Sequence, residues 1–179
     1  MAARGDPCDQ AKAAASGPRT SRSLALKLDR RDRRILEELQ RDDTITYRTL
    51  SERVALSPSA CVLRVQQMEK AGIIRGYHAA IAITKVDPVV FMVAEIAMAS
   101  HNPADLKQFD RLLREMPEVI EALRVNGPFD YLVRFMLPSL QDWQPFAHRL
   151  LDPANKVEKM VTHVVMEEVK PFAGYPIPL

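Results

Sequence analysis

Apolar residues recur at helical spacing in three successive segments near the start of the chain. In an amphipathic helix such a stripe faces the core, while polar side chains face water. Each segment also opens with a side chain that can accept the N–H groups of a first turn: Asp29, Thr46 and Ser57. Asp32, three residues after Asp29, predicts a capping box with Asp in place of Glu. The pattern predicts helices over residues 28–43, 44–56 and 58–71.

The third segment is the most sharply delimited of the three. Cys61, Val65 and Met68, at i, i+4 and i+7, form its apolar stripe. Pro58 suits the first helical position, where no N–H is needed, and Gly72 is a typical terminator. The opposite side of this helix is not needed for a core and remains available for contacts.

A linker strand is predicted after the third helix, over residues 76–87. Three short helices, the last two joined by a tight turn, and a following strand are typical of helix-turn-helix proteins that bind DNA. Many helical hairpins share this pattern, which therefore leaves other functions open.

Residues 88–170 show a different order of elements, β-α-β-β-α-β. That order is typical of a ferredoxin-like sheet with both helices on one face, so the fold class predicted for the chain is α+β. The segment VVFMVAEIAM has almost no polar alternation, as is usual for strands covered on both faces. Because one chain supplies only one layer of helices, we predict an obligate homodimer that covers the other face.

Composition narrows the class of protein. Apolar residues make up 47% of the 179 residues, which is normal for a chain with a core. No apolar run reaches the roughly 18–20 residues of a membrane helix, and no secretory leader is recognisable, so no membrane partner is expected. The two cysteines, Cys8 and Cys61, lie in different contexts and predict neither a disulfide nor a metal site. A reducing cytoplasm is the simplest location.

Charge is divided unevenly along the chain. Residues 1–75 carry 15 Lys and Arg against 10 Asp and Glu, whereas residues 76–179 carry 10 against 13. A basic half suggests a polyanionic partner, although five charges can also be a solvated surface. Residues 1–27 have no period and few large apolar side chains, so a disordered tail is predicted there.

Four stretches in this order resemble the Lrp/AsnC (feast/famine) family of transcriptional regulators: LDRRDRRILEELQRD, LSPSACVLRVQQMEKAGIIRGY, NGPFDYLV and VVMEEVK. The resemblance covers roughly residues 28–171. It implies a winged-helix type of DNA-binding domain joined to a ligand-sensing sandwich, and dimers that assemble further, often to octamers. It also implies small effectors, usually amino acids, bound between dimers, and no cofactor. The predicted organisation is a tail (1–27), a DNA-binding domain (28–75), a linker strand (76–87), an effector-binding and oligomerisation domain (88–171) and a C-terminal extension (172–179).

By this resemblance the third helix is the recognition helix, which lies in the major groove of a pseudo-palindromic double-stranded operator. Arg64 can pair with a guanine and Gln67 with an adenine, whereas Tyr47 and Arg48 are expected at phosphates. Many family members carry two basic residues where this chain has Gln66 and Gln67, which predicts a shallower salt dependence. Alternatively to a DNA contact, Gln66 and Gln67 are only solvated helix surface. The predicted DNA-binding residues are Tyr47, Arg48, Ser57, Ser59, Ala60, Leu63, Arg64 and Gln67.

The stretch VNGPFDYLV predicts an effector site. Gly127 and Pro128 are a turn signal between two strands, and Asp130 and Tyr131 open the second strand at the rim of the sheet. Backbone N–H groups of the turn can hold a carboxylate and an aspartate can hold an ammonium, the two groups of an amino acid. The resemblance adds two residues of the last strand, and the predicted effector-binding residues are Asn126, Gly127, Pro128, Phe129, Asp130, Tyr131, Thr162 and His163. Alternatively, Asp130 and Tyr131 only cap and pack the hairpin.

Two other functions stay open at this point. The absence of the basic pair is compatible with an amino-acid sensor that has lost DNA binding and acts through protein contacts. A sirohaem decarboxylase-like enzyme is similar in fold, but the second half shows no cluster of His, Arg and Tyr for a porphyrin. We therefore predict no catalytic residues.

Overall fold

The computed structural model describes residues 26–178, so most of the predicted tail lies outside the described residues. Within them the chain divides into two compact units. Unit 1 consists of residues 26–78 together with 173–178, and unit 2 consists of Ala79–Phe172. Each unit has its own cluster of buried apolar residues.

Unit 1 contains the three predicted helices, α1 (Arg30–Arg41), α2 (Tyr47–Val54) and α3 (Pro58–Lys70). All three predicted caps are confirmed. The Asp29 carboxylate accepts the N–H of Asp32, whose own side chain accepts the N–H of Asp29, which completes the capping box. Thr46 and Ser57 accept N–H groups of the first turns of α2 and α3.

The core of unit 1 forms where the three apolar stripes meet. Cys61, Val65 and Met68 of α3 are fully buried, and they pack in one cluster with Ile35 and Leu50 of the other two helices. Helix α3 ends as predicted. Gly72 has φ +70°, and the N–H of residue 73 reaches the Met68 carbonyl at 2.9 Å, which closes a Schellman motif that favours glycine.

The linker strand predicted over residues 76–87 is wrong. Residues 77–82 have no regular secondary structure, and Ile83–Lys85 forms a 3-10 helix. A strand satisfies its backbone groups by pairing with a neighbour, and the described sheet contains no partner for this segment. Residues 77–82 are exposed, so water can solvate their backbone instead.

Unit 2 has the predicted β-α-β-β-α-β order, and its four antiparallel strands are arranged β2-β3-β1-β4, the ferredoxin-like topology. Its elements are β1 (Val90–Met98), α4 (Pro103–Glu115), β2 (Val119–Arg124), β3 (Tyr131–Leu137), α5 (Trp143–Leu150) and β4 (Val157–Val164). Pro145 lies in the first turn of α5, where proline is tolerated, and a 3-10 turn precedes that helix.

The two faces of this sheet differ. One face is the core of unit 2, where Ala94, Ile96, Val133 and Phe135 are fully buried beneath α4 and α5. The other face, hereafter the open face, is mainly apolar, and no helix among the described residues of unit 2 covers it. Its side chains alternate with the core residues along the strands and include Phe91, Val93, Leu123, Leu132, Met136 and Val161.

Candidate DNA-contact surface and effector site

The outward side of α3 is a continuous exposed strip. Ser59, Leu63 and Gln67 are spaced four residues apart and lie on one side of the helix, with Gln66 beside them. The Leu63 side chain is 56% exposed although it is apolar. Ala60, also predicted at this surface, is half-buried. The strip offers amide, hydroxyl and methyl groups, which are the groups that read base edges in a major groove.

Ser57, at the start of this strip, is both a helix cap and an exposed residue. Its hydroxyl accepts the N–H of Ala60 at 3.2 Å and lies 3.2 Å from the hydroxyl of Ser59. The residue is therefore a helix cap in this structure, and it remains exposed at the helix N-terminus. The N–H groups of such a terminus favour anions, including a backbone phosphate.

Arg64 was predicted to contact DNA, but it does not lie on the exposed strip. Its Nη1 is 2.6 Å from a carboxylate oxygen of Asp32 and 2.8 Å from one of Asp29, and its side chain is 28% exposed. Both bonds raise the pKa of Arg64, and the bond to Asp32 has the larger effect. The N–H of Asp32 and then the Arg64 guanidinium lower the pKa of Asp29 to about 2. Arg64 thus ties α3 to the N-terminus of α1, and we call these three residues the arginine clamp. Contact of Arg64 with DNA stays a prediction.

The candidates on α2 have weaker local constraints. The Arg48 side chain is 88% exposed and its Nε lies 3.7 Å from a carboxylate oxygen of Glu52, one turn along the helix. Such an exposed pair contributes little and can rearrange. Tyr47 is half-buried against the core of unit 1. Cys61 belongs to that core, and burial raises the pKa of its thiol, which disfavours the nucleophilic thiolate.

Asp130 is the centre of the predicted effector site. Its carboxylate accepts the N–H of Met98 at 2.7 Å and lies 2.8 Å from Nε2 of His101. Burial acts to raise the pKa of Asp130, but the bonds from Met98 and His101 outweigh it, and the pKa is lowered overall. The carboxylate therefore stays charged at the end of β1, where it can still meet a cation.

Tyr131 lies in the core rather than on an open rim. It is 2% exposed, and its hydroxyl donates to Asp110 at 2.9 Å and accepts from Arg124 at 3.1 Å. Burial is the main cause that raises the pKa of Tyr131. The reason for its position is register, since Tyr131 is opposite Ile96 on the core face. The alternative that Tyr131 packs the hairpin describes this arrangement.

Thr162 and His163 are not brought together by the structure. Thr162 pairs with Ala94 on the core side of the sheet, whereas His163 pairs with Val93 on the open face. His163 lies 3.6 Å from Glu95 there. One chain therefore cannot direct both side chains into one pocket. The remaining candidates lie in the turn, where Asn126, Gly127 and Pro128 are exposed, Phe129 is half-buried and Gly127 has φ +137°.

Sequence reasoning missed the partners of Asp130 and Tyr131. His101 stands 29 residues before Asp130, and Asp110 stands 21 residues before Tyr131. No spacing rule connects such residues, because only the pairing of β1 with β3 and the packing of α4 bring them together.

None of the helices in residues 26–178 has the length and hydropathy that a membrane crossing requires.

The chain combines a helix-turn-helix unit that exposes one side of its third helix with a ferredoxin-like unit, and an exposed helix in such a unit is typical of DNA-binding proteins. Residues 28–75 match the family model for winged helix-turn-helix DNA-binding, and residues 92–174 match that for the Lrp/AsnC ligand binding domain. The leucine-responsive regulatory proteins of Escherichia coli and Salmonella typhimurium are each 37% identical over 143 residues, which are 80% of this chain and 87% of the relative.

Solved structures agree with these matches. An AsnC family transcriptional regulator from Agrobacterium tumefaciens is 33% identical, with a TM-score of 0.75 over 83% of this chain and 97% of that one. A transcriptional regulator from Neisseria meningitidis, solved in complex with L-Met, is 31% identical, with a TM-score of 0.72 over 84% and 97%. The chain belongs to the Lrp/AsnC family of transcriptional regulators.

Proposed function

We propose that this chain is a sequence-specific DNA-binding transcriptional regulator whose DNA affinity or oligomeric state responds to a small effector, an amino acid. The observation that carries the proposal is the exposed strip of α3 on a capped helix-turn-helix unit, in one chain with the Lrp/AsnC ligand-binding domain. The exposed side of α3 has no role in the core of unit 1 and is available for DNA, and the ligand domain supplies the control.

The strip of α3 reads DNA mainly through neutral groups. Gln67 can pair bidentately with an adenine, and Leu63 can contact the methyl group of a thymine. Ser57 and Ser59 can reach phosphates or bases, whereas the exposed Arg48 and Tyr47 are expected to contact phosphates. Because the described part of the strip carries no cation, fewer counterions are released on binding, and we expect a shallow dependence on salt.

The effector site is centred on the turn at residues 126–130. Asp130 offers a carboxylate for an ammonium group, and the N–H groups of the turn offer donors for a carboxylate. The Neisseria meningitidis regulator carries L-Met, which supports an amino acid as the class of effector. His101, which already contacts Asp130, adds a side chain that an incoming ammonium group must displace or join.

The open face of the sheet is the proposed dimer interface. It presents apolar side chains that are half-buried or exposed in one chain, for example Leu123 at 45% and Val161 at 37% exposure. Apolar surface of this kind is stabilised when a second copy covers it. Such a dimer carries two copies of α3, which suits a pseudo-palindromic operator, and further assembly to octamers is part of the proposal.

Selection of genomic fragments by the purified protein tests the proposal, first without effector and then with each amino acid present. We expect one or more enriched fragments and an amino acid that changes their recovery. A matched pair of variants locates the surface: Gln67→Ala should reduce enrichment about ten-fold, while Gln141→Ala in unit 2 should leave it unchanged. If no specific fragment is enriched under any condition, the proposal is refuted.

A sensor that acts through protein contacts is the second candidate, because the exposed strip of α3 lacks charge and Arg64 is bound to carboxylates. Calorimetric binding of an amino acid without any enriched DNA fragment would favour it. The enzyme alternative has a separate test, since a sirohaem-type substrate gives a tetrapyrrole absorbance band on the purified protein.

A further inference from the structure

The C-terminal residues of the described chain lie on helix α1. Residues 173–178 belong to unit 1, although the chain that precedes them belongs to unit 2. The Gln40 side chain forms two bonds with one residue: its Nε2 donates to the Tyr175 carbonyl at 3.0 Å, and its Oε1 accepts the Tyr175 N–H at 2.7 Å. A side-chain amide that bonds both backbone groups recognises an extended main chain, as a neighbouring strand does.

A second bond lies two turns away on the same helix. Nη1 of Arg33 donates to the carbonyl of Pro178 at 2.6 Å. Arg33 and Gln40 are seven residues apart, roughly 10 Å along a helix axis. Tyr175 and Pro178 are three residues apart, which is roughly 9 Å in an extended proline-rich chain. The two spacings match, so the segment runs antiparallel to α1.

The composition of the segment suits this docked conformation. Pro176 and Pro178 fix φ near the extended value, which lowers the conformational entropy lost on binding. Gly174 has φ +107°, and a Cβ atom there would lie 2.8 Å from Oε1 of Gln40. Only glycine readily adopts this positive φ and also leaves the space beside Gln40 free. Both bonds from Gln40 go to backbone groups of Tyr175, so the backbone is the part that Gln40 recognises.

We propose that the surface of α1 between Arg33 and Gln40 is a peptide-binding site whose ligand is the chain's own segment 173–178. Unit 1 is then joined to unit 2 by two chain segments, the one that follows His78 and the one that precedes Ala173, rather than by one. The proposal stands on contacts within unit 1 and does not depend on what the chain regulates.

Hydrogen exchange at the Tyr175 amide tests this site in the full-length protein. Gln40→Glu keeps the shape of the side chain but replaces its donor with an oxygen, which faces the Tyr175 carbonyl. Gly174→Ala disrupts the same contact from the peptide side. We expect exchange at Tyr175 to be at least about ten-fold faster in each variant than in the wild type. The matched control Gln141→Glu, on an exposed glutamine of unit 2, should leave the rate unchanged.

Equal exchange rates in the wild type and both variants overturn the site. Co-expression of the two variants shows whether a segment binds its own chain or a neighbouring copy. In a mixed oligomer the Gln40→Glu chain keeps an intact segment 173–178, and the Gly174→Ala chain keeps an intact α1. Both tails should stay exposed if each chain binds its own segment. Restored protection of the tail on the Gln40→Glu chain would instead show exchange between copies and overturn the own-chain assignment.

Discussion

Asp32→Asn is the most informative single change, because two physical arguments predict opposite results for it. Loss of a negative charge from a DNA-binding unit should strengthen binding to a polyanion. In the arginine clamp, however, the Asp32 carboxylate accepts from Arg64 at 2.6 Å and so holds α3 against α1. Asparagine keeps one oxygen for the capping box, but its amide nitrogen cannot accept from Arg64. We therefore expect weaker DNA binding.

The expected loss of stability follows from the exposure of the Arg64–Asp32 ion pair. Breaking a fully buried ion pair costs ~3–5 kcal/mol, whereas an exposed pair contributes ~0.2–1 kcal/mol. The side chains of Arg64 and Asp32 are 28% and 11% exposed, which places the pair between these limits. Because Asp29 still holds Arg64, we expect a loss of about 1–2 kcal/mol in the free energy of unfolding. A shifted α3 that loses one base contact binds DNA about ten-fold more weakly.

The assay is a gel-shift titration on a selected fragment at several salt concentrations. Glu37→Gln makes the same charge change on the same helix outside the clamp and serves as the matched control. Asp32→Glu restores the carboxylate, and we expect it to recover most of the affinity. Arg64→Ala should weaken binding by ~1–3 kcal/mol without a change in the salt slope, because a clamp residue releases no counterion.

Two results would refute the reasoning. Equal or tighter binding by Asp32→Asn would mean that the clamp does not position α3 and that charge alone matters. A salt slope that falls by about 0.9 in Arg64→Ala would mean that Arg64 leaves the clamp and neutralises a phosphate.

Three further predictions concern unit 2. Phe135→Ala removes a fully buried ring that stacks on Phe146 at 4.4 Å, and urea unfolding should show a loss of about 3–5 kcal/mol; a loss below 1 kcal/mol contradicts this packing. The lowered pKa of Asp130 means that its charge stabilises the fold above pH 3.8, and that this contribution is lost as pH falls through the lower folded-state pKa. The difference in unfolding free energy between wild type and Asp130→Asn should therefore shrink below pH 3.8, and a constant difference argues against it. Leu132→Asp puts a charge on the open face and should yield monomers in sedimentation, whereas an intact dimer would place the interface elsewhere.

Local features were readable from the sequence. The caps at Asp29, Thr46 and Ser57 and the terminator Gly72 act on backbone groups within one turn, so their effect needs no distant partner. The stripe on α3 and the order of elements in unit 2 were also predicted correctly, because periodicity reports which side of an element is buried. The same local logic failed for residues 76–87, since a strand exists only where another strand pairs with it.

The tertiary structure alone decided which side chains meet. Arg64 has a helical position that sequence patterns assign to the surface, yet it is bound to carboxylates 32 and 35 residues away. Thr162 and His163 are neighbours in the chain, but the sheet sends them to opposite faces. His101 reaches Asp130 only because β1 pairs with β3. Short-range hydrogen bonds and burial patterns are encoded residue by residue, whereas these contacts depend on how whole elements pack, which no local spacing records.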